Sequence, residues 1–185
     1  MDRPVNVNVI ENKWVFDIKE DSMGNAVRYK ARLVAKGYSQ EYGIDFWDTY
    51  SPVTNLVTVR ILLDFSAKLD LELKHLDVST AFLYGNITED VYMEQPVGFM
   101  KKGNEDKVCK LHKSLYGLKQ APREWNKALV DVLAQVGFCQ SDIDPCLLIR
   151  RSSNEIEGLE NGCWWIKGRC WKLLTHTSHI ELVGD

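Results

Sequence analysis

Two runs of period-two alternation, residues 13–18 and 26–35, flank the turn-forming segment Asp21-Ser22-Met23-Gly24-Asn25. Alternation sends successive side chains to opposite faces of an extended strand, and a short polar link containing glycine lets two such strands pair antiparallel. A β-hairpin near the N-terminus is therefore the firmest local constraint on what this chain can fold into. In its second strand Arg28, Lys30 and Arg32 fall on one face, and Tyr29, Ala31 and Leu33 on the other. A row of cations at strand spacing has two readings, a solvated strand face or a clamp for a polyphosphate or a nucleic-acid backbone.

Downstream, residues 37–52 read as a loop rich in aromatics (Tyr38, Tyr42, Phe46, Trp47, Tyr50). Packing of these rings against a neighbouring helix is expected ahead of stacking on bases. Thr54 or Asn55 can cap a helix whose Leu56, Val59, Leu63 and Ala67 make a core face. Alternation returns with Leu69, Leu71 and Leu73, and in strand geometry His75 and Asp77 continue the leucine face, which directs an acid toward the interior. A buried carboxylate needs a cation, a metal ion or a set of N–H donors. A salt bridge, or the cap of a short helix starting near Ser79, would meet that need as well as a metal would. Residues 87–95 and 107–111 read as a second hairpin. Pro122 suits the first turn of a helix with Trp125, Leu129, Val132, Leu133 and Val136 on its apolar face and Gly137 at its end. Residues 144–149 read as a last short strand.

At 185 residues and 45% hydrophobic content the chain can build one domain with a real core. A net charge of -3 and a pI near 5.8 exclude a wholly basic nucleic-acid coat, so any such binding rests on a local patch. No segment reads as a signal peptide or approaches the roughly twenty apolar residues of a membrane span, so no membrane partner and an intracellular location are expected, with cytoplasm and nucleus both open. Five cysteines at irregular spacing read as reduced thiols filling apolar space. After Arg151 the character changes: a polar, acidic stretch leads to Cys163, Trp164, Trp165, Cys170, His176 and His179, whose spacing does not match a zinc site. The simpler reading is a tail foreign to the domain, weakly folded or disordered.

Several linked blocks carry a resemblance. They are Lys13-Trp14-Val15-Phe16, the run from Arg28 to Tyr38, Tyr50-Ser51-Pro52-Val53, Leu76-Asp77-Val78 with Ala81-Phe82-Leu83, Val91-Tyr92-Met93 with Gln95-Pro96, the run from Lys113 to Arg123 with Trp125, and Asp144-Pro145-Cys146. In this order and spacing the chain resembles the reverse transcriptase of copia-type LTR retrotransposons. The resemblance implies an α+β fold: right-hand polymerase fingers and a partial palm, an antiparallel sheet with packed helices. It divides the chain into an N-terminal extension (1–11), the fingers and palm (12–151) and a divergent tail (152–185).

By that resemblance Asp77 is the first metal-binding aspartate, and the Val78 carbonyl adds an oxygen ligand for Mg²⁺ or Mn²⁺. The backbone N–H groups of Ser79, Thr80 and Ala81 face the triphosphate, Phe82 contacts the sugar and excludes a 2′-hydroxyl, and Lys30 and Arg32 are candidates for the triphosphate clamp. Tyr116 and Gly117 border the incoming nucleotide and template, Gly117 permitting close backbone approach. The implied partners are an RNA or DNA template-primer, deoxynucleoside triphosphates, and the integrase and ribonuclease H domains of a parent Pol polyprotein. The family's Tyr-Val-Asp-Asp hairpin, which completes a two-metal nucleotidyl-transfer site, occurs nowhere in this sequence. The expectation is a C-terminally truncated RNA-directed DNA polymerase fragment, inactive alone. The alternative is a non-catalytic relic that binds nucleic acid or protein.

Overall fold

The structure, a computed structural model, describes residues 1–151, 155–160 and 164–169. The zinc reading of Cys163, Cys170, His176 and His179 falls outside these residues. The chain divides into two compact units, one of Met1–Tyr50 with Phe82–Trp125 and one of Ser51–Ala81 with the described part of Asn126–Asp185.

The first unit contains the expected hairpin, β2 (Asn12–Glu20) and β3 (Ala26–Ala35), antiparallel, with a register shift at Lys19/Glu20. Its turn is held by Asp21, whose Oδ1 accepts from the backbone N–H groups of Met23 and Asn25 at 2.8 and 2.9 Å. Hydrogen bonds from Asn25 and Met23 hold the Asp21 carboxyl below the usual carboxylate range. A three-stranded sheet joins β1 (Val9–Ile10), β5 (Tyr92–Glu94) and β6 (Val108–Lys110). The second expected hairpin is therefore present with shorter strands. The sheet is mixed, because β1 pairs parallel with β5 at Val9↔Tyr92 and Ile10↔Met93. Period-two reading sees the strands but not which distant segment lies beside them, so the parallel neighbour β1 is an addition to the expected hairpin. Ile10, Ala35, Val91, Met93, Leu118 and Ala121 form this unit's core.

In the second unit α1 (Leu56–Leu69) starts at Asn55, whose side chain accepts from the Val57 N–H, and ends at Asp70 in the left-handed conformation. Its inward side is Thr58, Val59, Leu62, Leu63 and Ser66, whereas Leu56 and Ala67 of the expected core face are exposed. Five further strands, β4 (Glu72–His75), β7 (Cys139–Gln140), β8 (Leu147–Arg151), β9 (Glu155–Glu160) and β10 (Trp164–Arg169), make an antiparallel sheet in the order β4-β10-β9-β8-β7. The strand at β8 is thus not the last. Two more follow, and β10 fills the space between β9 and β4. Leu133, Phe138, Leu148 and Leu159 form the core of this unit.

The helix α2 (Ala121–Gln135) ends as expected at Gly137 (φ +88°), with Phe138 N–H bonded back to the Leu133 carbonyl. Its buried side is Leu129, Val130 and Leu133, while Val132 and Val136 are exposed. Both helices carry more apolar residues than one packing face absorbs, so sequence periodicity alone placed the face slightly off. Among the described residues no helix is long and apolar enough to cross a membrane.

Candidate nucleotide-binding site

The hairpin of β2 and β3 presents more charge than one strand's sequence suggests. Register places Lys19 opposite Arg28, Asp17 opposite Lys30, Val15 opposite Arg32 and Lys13 opposite Val34. Directly opposed residues of an antiparallel pair point to the same face. Lys13 and Lys19 therefore join Arg28, Lys30 and Arg32 on one side, and none of the five is in an ion pair with another described residue. Partial desolvation, then the neighbouring charges of Lys19 and Arg32, hold Lys30 below the usual lysine range, with Asp17 opposing. Lys13 and Lys19 escaped the sequence reading because they lie on the other strand. Counting back across the turn at Asp21–Asn25 was the signal that could have found them. The reverse face carries Phe16, Ile18 and Tyr29, the last 75% exposed.

Beyond the end of β3 the chain passes closely against the segment Ser114–Gln120. The Ala35 N–H donates to the Tyr116 carbonyl at 2.8 Å. Gly117 has φ +91°, and a Cβ there would stand 2.1 Å from the Ala35 carbonyl oxygen; a Cβ on Gly37 would stand 2.0 Å from the Gly117 oxygen. Only glycine allows two backbones so near. This approach sets the Tyr116 ring 6.0 Å from the Arg32 guanidinium carbon and edge-on to Phe82, ring centroids 5.4 Å apart. Arg32, Phe82, Tyr116 and Gly117, drawn from three distant stretches of sequence, are thus brought together. Lys30 lies two residues from Arg32 on the same hairpin face.

The remaining predicted residues, Asp77, Val78, Ser79, Thr80 and Ala81, belong to the second unit. Here the structure corrects the expected burial. β4 ends at His75, so the alternation that would direct Asp77 inward stops two residues early, and Leu76 instead packs against the core of that unit. Asp77 to Thr80 are exposed, and Thr80 adopts φ +54° with its hydroxyl donating to the Ser79 carbonyl at 2.7 Å. A short 3-10 helix, Ala81–Tyr84, follows. Asp77 does not cap it through any hydrogen bond among the described residues.

A divalent-metal centre is poorly matched by these side chains. Among the described residues no group of three or more His, Cys, Asp or Glu is placed to hold an ion. Asp77 offers one carboxylate, whereas Mg²⁺ wants near-octahedral oxygen ligation and two-metal chemistry wants several acids. β9 and β10 hold no aspartate, and Glu157 of β9 is buried and bound to Arg150 at 2.6 Å. The aromatic loop gives a further correction. Tyr38, Tyr42, Trp47 and Tyr50 are exposed, Tyr42 standing edge-on to Phe46 and Trp47 with ring centroids 5.8 and 6.1 Å apart, while Asp45 and Gln40 of the same loop are buried.

Residues 1–159 match the family described as reverse transcriptase (RNA-dependent DNA polymerase). The chain is 47% identical over 150 residues to the Retrovirus-related Pol polyprotein from transposon TNT 1-94 of Nicotiana tabacum, covering 81% of this chain and 11% of that one. It is 44% identical over 153 residues to the corresponding polyprotein from transposon RE1 of Arabidopsis thaliana, covering 83% and 10%. Similarity extends to the Transposon Ty1-ER2 Gag-Pol polyprotein of Saccharomyces cerevisiae, 35% over 130 residues, covering 68% and 7%. The chain spans about a tenth of the length of the two plant relatives. No solved structure gives a significant match. By the extent of these matches, the chain belongs to the reverse transcriptase family of copia-type retrotransposons.

Proposed function

We infer that residues 12–151 are the fingers and partial palm of an RNA-directed DNA polymerase, and that this chain by itself binds deoxynucleoside triphosphate and template-primer without joining them. The observation that carries this reading is the convergence of Arg32, Tyr116 and Phe82 beside a hairpin face of cations that no ion pair among the described residues neutralises. Arg32 and Lys30 neutralise the triphosphate, with the guanidinium able to grip two oxygens at once. Phe82 and Tyr116 wall the sugar and base, and Gly117 lets the backbone come close. The nucleotidyl-transfer step itself, two-metal in the family, finds too few acids among the described residues, and no role in it is assigned to Asp77. Integrase and ribonuclease H segments of a longer polyprotein are the natural protein partners, and an intracellular site of action goes with them.

The test pairs calorimetric titration of the chain with dATP in Mg²⁺ buffer with primer extension on an RNA template. Binding that weakens in Arg32→Ala and Tyr116→Leu, without extension in Mg²⁺ or Mn²⁺, is the expected outcome. Extension that disappears in Asp77→Asn would show that further acids complete the centre and would overturn the claim of inactivity. The cation face favours one second reading, a non-catalytic surface for nucleic acid. Salt-dependent RNA binding with no measurable dATP affinity would select it.

A further inference from the structure

Below the Tyr116 turn two buried amides join segments that are distant in sequence. Gln120 is 0% and Gln40 4% exposed, and the Gln40 Nε2 donates to the Gln120 Oε1 at 2.9 Å. Every polar side-chain atom of the pair is used. The Gln120 Nε2 donates to the Asp45 carbonyl at 2.9 Å, and the Gln40 Oε1 accepts from the Lys119 backbone N–H at 2.7 Å. The Lys119 Nζ returns to the Gln40 carbonyl at 3.0 Å. Asp45, 1% exposed, is itself fixed by the Glu41 N–H at 2.8 Å and by the Asn8 amide at 2.5 Å.

The geometry of this link reaches the candidate site from both ends. Gln40 lies three residues beyond Gly37, on the segment that continues β3 past Arg32, and a Cβ on Gly37 would stand 3.1 Å from the Gln40 Oε1. Gln120 lies three residues beyond Gly117 on the segment that carries Tyr116. Neither Gly37 nor Gly117 has a side chain; their close passage is held by the bond from the Ala35 N–H to the Tyr116 carbonyl, with a Val34 methyl beside Gly117. Buried amide pairs with all atoms satisfied are directional where apolar contacts are not, so they fix spacing as well as stability. We propose that Gln120 and Gln40 are positioning residues that set the distance between the Arg32 strand and the Tyr116 turn, and so tune the nucleotide pocket without touching the nucleotide. This inference rests on the nucleotide-binding reading given above.

A double-mutant cycle on the whole chain, read by dATP titration in Mg²⁺ buffer, tests it. Gln120→Leu is expected to weaken dATP binding about tenfold, within the coupling range of contacting residues. The loss should shrink to about twofold or less in a Tyr116→Leu background, because a residue acting through Tyr116 has nothing left to position. Its effect on the melting temperature should persist unchanged in that background, which separates positioning from general support of the fold. Equal losses in both backgrounds, or no loss, overturn the proposal. Gln120→Glu, of the same shape with a donor removed, carries the cycle if the leucine variant does not fold. Failure of both to fold would assign the amide to fold maintenance alone and overturn the proposal too. If Arg32→Ala and Tyr116→Leu leave dATP affinity unchanged, the nucleotide-binding reading itself fails, whereas their loss of affinity with additive Gln120 effects sinks only the positioning role.

Discussion

Tyr116 meets Arg32 and Phe82 because two glycines let backbone segments almost touch, so the site is most sensitive at residues that have no side chain. Gly117→Ala would force a left-handed φ of +91° on alanine and drive its Cβ to 2.1 Å from the Ala35 carbonyl oxygen. The backbone strain alone costs roughly 1–3 kcal/mol, measurable as a lower urea midpoint. Phe82 acts by bulk: Phe82→Ala should lower the preference for dATP over ATP by about tenfold or more, checked by titrating both nucleotides. Lys30 brings a pH dependence. Its ammonium is held below the ordinary lysine range, so its charge is lost earlier as pH rises. Affinity for dATP should therefore decline in alkaline solution at a lower pH than an ordinary lysine would dictate, and Lys30→Arg, which keeps its charge, should flatten that profile in the same titration.

At the level of the element, the hairpin is a two-sided ribbon. Five cations with the single acid Asp17 occupy one face, while Phe16, Ile18 and Tyr29 occupy the other. If the cation face meets phosphates, replacing Lys19 or Arg28 by alanine should reduce the slope of log affinity against log salt for single-stranded RNA by roughly 0.7 for each phosphate no longer neutralised. Unchanged slopes in fluorescence-anisotropy titrations would remove those two residues from the interface. The helix α1 shows how far periodicity carries. Asn55 as its cap was one of two candidates read from residue type, and the structure selects it. Its packed side was found in part, Val59 and Leu63 facing inward but Leu56 and Ala67 outward, because Val57, Ile61, Phe65 and Leu69 supply a second apolar stripe that remains exposed, Phe65 by 54%. Phe65→Ser should leave unfolding within about 0.5 kcal/mol of the parent and reduce self-association in light scattering, since it removes exposed apolar surface and no core.

At the scale of the whole molecule, this chain matches about a tenth of each plant Pol polyprotein, and its second unit closes a five-stranded sheet with β9 and β10. Strand pairing is satisfied by backbone groups, so those two strands can occupy their places in the sheet whatever acids they lack. Sheet formation and metal chemistry are thereby separable. Residue order alone carried the family, the hairpin and its turn, the start of the first helix and the end of the second, and the residue types of the candidate site. These follow from local periodicity, capping chemistry and linked motifs, all of which act over a few residues. Only the tertiary structure decided that β1 lies parallel to β5, that Lys13 and Lys19 share the face of Lys30, that Asp77 is exposed, and that Gln40 and Gln120 meet in the interior. Each of these depends on pairing between segments distant along the chain, or on where a strand stops within its sheet, and alternation along one segment carries no information about either.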